Sequence, residues 1–264
     1  KNVCVKSSNE FAFDMYKQLV SGNDNVFFSP YSISTAIGMA YEGAEGQTAT
    51  EIEGVLDLPA DNKTRLDMIK DIQSSLNPTG KAYELSTANA YWLADGGNLK
   101  PEYKTAIEDF YLAHGEEMDF AGDPEGSVDT INAWVEEKTN DKIKDLLSPS
   151  DAGPLTFLIL TNAIYFKSDW KYQFDAEATE DMDFTPTSGE KFKTPIMHMC
   201  DQEIGINYAS NDDVQMIQLP YKNEELSMLV ILPKGDDMSS VEKKLDHQYL
   251  MDLKGKISSE YMDI

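Results

Sequence analysis

Cysteine is scarce in this chain of 264 residues. Cys4 and Cys200 are its only two cysteines, and two cysteines this far apart in sequence do not form a disulfide framework. We interpret them as free thiols. A chain of this length buries enough apolar surface to be stable without disulfides or a structural metal.

Basic side chains are also few, and this restricts the possible partners. Lysine and arginine total 22 against 47 aspartates and glutamates, which gives a net charge of -25. Such a surface repels the phosphates of nucleic acid and of anionic membranes, and solubility or a salty environment is its simplest explanation. No apolar run approaches the roughly 18 residues of a membrane-spanning helix. The sequence therefore predicts neither a nucleic-acid nor a membrane partner.

Motifs that carry catalysis are missing as well. Only His114, His198 and His247 offer general bases near neutral pH, and neither a G-x-S-x-G elbow nor an H-E-x-x-H motif is present. His198 and Cys200 place two possible ligands close together, but a metal site needs three or four. We interpret this pair as ordinary packing, and we expect no metal, no cofactor and no enzymatic activity.

The stretch NVFFSPYSIS raises the question of why serines follow so closely on apolar residues. Its first part, residues 25–28, is typical of a short strand. Ser29 then supplies an N-cap oxygen, and Pro30 fits the first helical position, where a missing N–H costs nothing. Apolar residues recur at helical spacing from Ile33 to Tyr41. This helix carries small residues on several faces, which predicts a central position with close neighbours.

The remaining elements follow from hydrophobic periodicity. Helices dominate the first half of the chain and strands the second, with no linker between them, so residues 1–264 are predicted to form one α+β domain. Further helices are expected over 8–21, 46–56, 61–76, from Pro101 to about Leu112, from Asp123 with an apolar stripe from Val128 to Leu147, and over about 239–256. Strands are expected over 84–95, 155–166 and most of 178–233, and residues 258–264 are typical of a connection feeding a new strand.

The segment LTFLILTNAIYF, residues 155–166, is the most strand-like run. It is apolar almost throughout, so both of its faces are expected to be covered. Asn162 interrupts it. Because an unsatisfied buried amide costs roughly 1–3 kcal/mol, we predict that Asn162 is hydrogen-bonded.

Five long segments, in the correct order along essentially the whole chain, resemble the serpins. The resemblance implies the serpin fold, in which helices cluster around a large central mixed sheet (sheet A) with two smaller sheets. The matching segments are NVFFSPYSIS with GAEGQTATEI (43–52), STANAYWL (86–93), INAWVEEKTNDKIKDLLSP (131–149), LTFLILTNAIYFKSDWKYQFD (155–175) and VQMIQLPYKNEELSMLVILP (214–233).

The resemblance also implies roles for four residues. Ser29, Ser32 and Asn162 match the "shutter", the small polar cluster beneath the point where two strands of the central sheet part. A plain N-cap for Ser29, small-residue packing for Ser32 and incidental burial for Asn162 are the alternatives. Trp170 matches the tryptophan at the "breach", where an inserting loop first enters the sheet, and its alternative is a generic buried aromatic.

The mechanism implied by the resemblance is mechanical. A target protease, of the serine type, cleaves an exposed reactive loop and forms a covalent acyl-enzyme. The freed segment then inserts into the central sheet as a new strand and releases stored strain. A non-inhibitory serpin that acts as a chaperone, carrier or storage protein is the second hypothesis. An enzyme on an unrelated α+β fold is a third, with little support.

The chain departs from the family pattern at its end. Serpins place the reactive loop and several closing strands after the point that matches Ile264, so the reactive bond cannot be named from this sequence. The closing strands are expected from a further C-terminal segment or from a second chain. The resemblance otherwise implies a monomer, and family habit favours an extracellular location.

Overall fold

The computed structural model describes residues 2–22, 24–77, 81–186, 189–199, 204–235 and 237–261. It divides into two compact units, residues 1–28 with 168–264 and residues 29–167, and the prediction of a single domain over residues 1–264 stays a prediction. The helices are α1 (Asn2–Leu19), α2 (Pro30–Tyr41), α3 (Gly46–Leu56), α4 (Asn62–Leu76), α5 (Pro101–Asp109), α6 (Pro124–Lys138), α7 (Met238–Glu242) and α8 (His247–Lys254). The strands are β1 (Tyr83–Ala94), β2 (His114–Met118), β3 (Leu158–Ser168), β4 (Asp175–Phe184), β5 (Phe192–His198), β6 (Gly205–Ser210), β7 (Val214–Pro220), β8 (Ser227–Pro233) and β9 (Ser258–Tyr261).

Most predicted elements are confirmed, but three predictions were wrong. Residues 25–28 are extended without forming a strand. The helix that starts at Pro124 ends at Lys138, because Asn140 and Asp141 adopt left-handed backbone angles with φ of 50° and 58°, a conformation that these short polar residues tolerate. The predicted stripe therefore does not continue to Leu147.

The third wrong prediction is the single polar helix over about 239–256. That segment forms two short helices, α7 and α8. Asp246 lies between them and caps the second, since its carboxylate accepts a hydrogen bond from the Tyr249 N–H at 2.7 Å. An N-cap in extended conformation starts a new helix and so ends the previous one.

The unit of residues 29–167 contains a three-stranded sheet in the order β2-β1-β3. β1 and β2 are parallel, with Ala90 opposite His114. Side chains alternate along β1, so its residues enter two apolar clusters. Tyr91 and Leu93 enter a cluster formed largely by α2, α4 and α5. Ala90 and Trp92 enter a second cluster that includes residues of α6.

β3 is less buried than its sequence predicts. Leu158 and Leu160 pack against the first cluster and Ile159 against the second, so both faces make contacts. Yet only Thr161 and Ala163 are fully buried. The reason lies in the strand order, because β3 is the last strand of its sheet in the described part of the chain.

The other unit contains two antiparallel sheets. One is the pair β4-β5, and the other has the order β8-β7-β6-β9. Val214 and Met216 of the larger sheet pack on Val241 and Leu253 of the neighbouring helices. Residues 258–264 were predicted to be a connection that feeds a new strand, but residues 258–261 already form a strand, β9, which pairs with β6. Three sheets therefore occur, as the family resemblance implies, although the four-stranded sheet is the largest within the described ranges.

One further property concerns membranes. Across the described residues, no helix combines the length and the apolar character needed to cross a bilayer.

Candidate functional site

The start of α2 is built by its first residues. Ser29 has extended backbone angles, and its Oγ accepts a hydrogen bond from the Ser32 N–H at 3.2 Å. Pro30 occupies the first helical position. The predicted N-cap is thereby confirmed, and such caps typically contribute about 1 kcal/mol of stability.

The small-sided face of α2 lets a large ring come close. A Cβ atom on Gly38 would lie 2.9 Å from the hydroxyl oxygen of Tyr111, so a larger residue would displace that ring. Tyr111 is 2% exposed. Small residues on α2 therefore do what the sequence predicts, since they admit a close neighbour.

Asn162 finds a partner in Asn89 of the adjacent strand. Its Nδ2 donates to Asn89 Oδ1 at 2.5 Å, and Asn89 Nδ2 donates to the main-chain oxygen of Tyr111 at 2.6 Å. Asn162 Oδ1 is buried and, within the described residues, accepts no hydrogen bond. We call Asn89 and Asn162 the amide pair. The prediction that Asn162 is hydrogen-bonded is confirmed for one end of its side chain.

The amide pair is separate from the serines of α2 in its hydrogen bonding. Ser29 bonds the main chain of Ser32, and Asn162 bonds Asn89. In the part of the chain that the structure describes, no hydrogen bond joins either serine to Asn162, so their common shutter assignment stays a prediction. Asn89 was not identified from the sequence, although it carries the same signal as Asn162, an amide inside an apolar strand.

A second cluster of buried polar side chains surrounds an ion pair between Arg65 and Glu42. Arg65 donates from Nε and from an Nη to the two carboxylate oxygens of Glu42, each at 2.8 Å. The same guanidinium also donates to Asn62 and to the main-chain oxygen of Pro59. Tyr111 donates its hydroxyl to Glu42 at 3.2 Å. We call Glu42 and Arg65 the ion pair.

The ion pair is deeply buried, with side-chain exposures of 6% for Arg65 and 3% for Glu42. Hydrogen bonding to Glu42 raises the pKa of Arg65. Burial, followed by the charge of Glu42, raises the pKa of Tyr111. These shifts keep the guanidinium charged and the phenol neutral, which is the state that preserves every hydrogen bond of the cluster.

A cavity of about 580 Å³ opens beside the ion pair and is lined in part by Tyr41, Tyr103 and Phe110. Burial, with a smaller effect from the charge of Glu42, raises the pKa of Tyr103 to about 12. The guanidinium of Arg65 lies 4.7 Å from the ring centroid of Tyr41. The cavity wall thus includes three aromatic rings as well as Glu42 and Arg65, which are engaged with each other.

Trp170 lies in the other unit and is half-buried. Its ring stacks on Tyr221 with 4.5 Å between centroids, and Phe174 approaches it edge-on at 6.4 Å. The main chain pairs at the same point, because Lys171 N–H donates to the Pro220 oxygen at 3.0 Å. Trp170 therefore has the contacts of a packed aromatic, and the breach assignment stays a prediction.

The predictions of free thiols at Cys4 and Cys200 and of ordinary packing for His198 with Cys200 stay predictions. The side chain of Cys4 and the whole of Cys200 lie outside the described residues. Elsewhere in the described ranges, no three histidine, cysteine or acidic side chains are grouped to hold a metal ion. Neither the amide pair nor the ion pair presents an activated nucleophile.

Comparison with known proteins gives consistent matches over nearly the whole chain. The family model described as Serpin (serine protease inhibitor) matches residues 6–263. An uncharacterized serpin-like protein of Thermococcus kodakarensis is 43% identical over 242 residues, which are 91% of this chain and 55% of that protein. This chain spans 55% to 60% of the length of its Thermococcus and Methanosarcina relatives.

Solved structures give the same result. Ovalbumin from emu (Dromaius novaehollandiae) superimposes with a TM-score of 0.92 at 28% identity, over 99% of this chain and 72% of ovalbumin. The cleaved form of Serpin 42Da superimposes with a TM-score of 0.90 at 28% identity, over 98% of this chain and 69% of that protein. The α+β serpin fold expected from the sequence is confirmed, and the chain belongs to the serpin family.

Proposed function

We propose that this protein is a protease inhibitor of the serpin type, and not an enzyme. A target protease, of the serine class, cleaves a reactive loop and is trapped as an acyl-enzyme while the loop inserts into the β2-β1-β3 sheet. The family supports the inhibitory class, since its model is described as serine protease inhibitor. The trapping step and the protease class are our inference.

The observation that carries the proposal is Oδ1 of Asn162, which accepts no hydrogen bond from the residues that the structure describes. This oxygen is buried in the middle of β3, and an unpaired buried acceptor costs roughly 1–3 kcal/mol. We infer that a strand added beside β3 would supply a donor to this oxygen, so that insertion would give it a partner.

The test uses the full-length protein and a panel of trypsin-like and chymotrypsin-like serine proteases. We expect an SDS-resistant complex at the summed mass of inhibitor and protease. The same proteases with a blocked active-site serine serve as the matched control and should give no complex. Cleavage without a complex across the panel would count for a non-inhibitory serpin.

A second measurement tests the insertion step separately. Melting of the loop-cleaved protein is compared with melting of the intact protein by circular dichroism. Insertion adds a strand to the sheet, so the cleaved form should melt at a higher temperature. Equal melting temperatures would contradict insertion even if an acyl-enzyme forms.

A further inference from the structure

Three rings from three elements meet where α6 packs on the sheet. Trp92 of β1 is fully buried, and its indole N–H donates to Thr161 Oγ1 of β3 at 3.0 Å. The ring of Trp134 on α6 lies 5.5 Å away, nearly perpendicular to it. His114, the first residue of β2, has its ring 5.9 Å from each tryptophan ring. A single histidine thus contacts both the sheet and the helix packed on it.

The ring of His114 is inclined at different angles to the two tryptophan rings. Its ring is nearly parallel to Trp134, at 17°, and steeply inclined to Trp92, at 68°. A cation within about 6 Å of an indole centroid is attracted to the face of the ring. A neutral imidazole lacks this charge. Protonation of His114 therefore adds attraction between β2 and α6 without any rearrangement of the rings.

Charged groups around His114 act in both directions. Glu116 on the same strand has Oε2 3.3 Å from His114 Nε2 and carries the charge opposite to that of an imidazolium ring. Lys138 on α6 has its Nζ 5.9 Å from the Trp134 centroid and opposes a second positive charge there. β1 contributes the uncharged Trp92. The His114 side chain is 48% exposed, so protons reach it directly from solvent.

We propose that His114 is a pH-dependent latch between β2 and α6, and that its protonated form holds α6 more tightly on the sheet. Histidine changes its charge between about pH 5 and 8. A cation–π contact at a partly exposed site should reduce the opening of α6 by about two- to fivefold. The latch goes beyond the proposed inhibition, because it governs the docking of α6 whether or not a protease is trapped.

Hydrogen exchange of the α6 main-chain amides tests the latch in the full-length protein. Opening constants are measured at pH 5.5 and pH 8.0 after correction for intrinsic exchange. The wild-type constant should be two- to fivefold smaller at pH 5.5, and His114→Gln should remove this difference. His247→Gln is the matched control, since that ring lies in α8 and contacts Asn9 at 3.1 Å. The control should keep the wild-type response.

A permanent charge gives a second, independent variant. His114→Arg should hold the opening constant at its low value at both pH values. A pH response that persists in His114→Gln, or a wild-type protein without one, overturns the proposal. If His114→Gln does not fold, His114→Arg decides, because a pH response as large as that of the wild type would show that His114 is not its origin.

Discussion

The ion pair and the amide pair are two buried polar clusters in the same unit, and they differ in how completely they are satisfied. Both carboxylate oxygens of Glu42 accept hydrogen bonds from Arg65, and Tyr111 adds a further one. The amide pair has one buried oxygen without a partner within the described residues, Oδ1 of Asn162. A satisfied buried network rigidifies its surroundings, whereas a polar group left unpaired in the interior is costly.

The two clusters meet at Tyr111. Its hydroxyl donates to the ion pair, and its main-chain oxygen accepts from Asn89 of the amide pair. Tyr111 also lies against Gly38 of α2. The ion pair therefore holds the hydroxyl of Tyr111, while the amide pair bonds the main chain of the same residue. This arrangement would suit the strand insertion that we propose for this sheet.

The largest expected effect comes from breaking the ion pair. Arg65→Met should lower the free energy of unfolding by about 3–5 kcal/mol, because it leaves the buried carboxylate of Glu42 uncompensated. Chemical denaturation in urea measures the change. Lys63→Met is the matched control on the same helix, since Lys63 pairs with Asp67 at the surface and is 84% exposed.

The control should change stability by less than about 1 kcal/mol, as exposed ion pairs do. Equal losses of unfolding free energy in Arg65→Met and Lys63→Met would mean that the buried ion pair stabilises the fold no more than an exposed one. A change in the urea m-value would point instead to an altered unfolded state.

The amide pair should respond less in stability and more in conformational change. Asn162→Ala leaves Asn89 Oδ1 unpaired, at roughly 1–3 kcal/mol, but it also removes the unpartnered oxygen of Asn162. We expect the free energy of unfolding to fall by about 1 kcal/mol and conversion to a latent or polymeric form to become faster. Size-exclusion chromatography at raised temperature measures this conversion. The exposed Asn98→Ala is the control. An unchanged polymerisation rate would remove Asn162 from the predicted shutter.

The sequence predicted local features of these clusters better than their partners. The N-cap at Ser29 depends on residues three positions apart, and it was found. The need of Asn162 for a partner followed from the apolar run around it. Its partner Asn89 lies 73 residues away, and no local rule connects the two. Pairing at that distance is set by the register of strands, which a single sequence does not display.

The ion pair was missed for a different reason. Glu42 and Arg65 are 23 residues apart, the chain has 47 acidic residues that could pair with Arg65, and charged residues are mostly exposed unless paired. The end of α6 was missed because the apolar spacing continues past it. There the left-handed Asn140 and Asp141 stop a helix that hydrophobic periodicity alone extends.

The smallest expected effect concerns Tyr103, in the wall of the cavity beside the ion pair. Burial and the charge of Glu42 raise the pKa of Tyr103 to about 12, whereas an unfolded tyrosine ionises near about 10. The folded state therefore favours the neutral phenol. Its contribution to stability is complete below about pH 10 and is lost as the pH rises through about 12.

In Tyr103→Phe there is no phenol to ionise, so unfolding free energy should fall less steeply between about pH 10 and 12. After allowance for solvent screening, the difference at the upper end should be on the order of 1 kcal/mol. Tyr261→Phe is the matched control, because that ring is 73% exposed. The same alkaline slope in Tyr103→Phe and in the wild type would mean that the surroundings of the ion pair are as open to solvent as the surface. In that case only Glu42 and Arg65 themselves would be shielded from solvent, and the cavity wall around them would not.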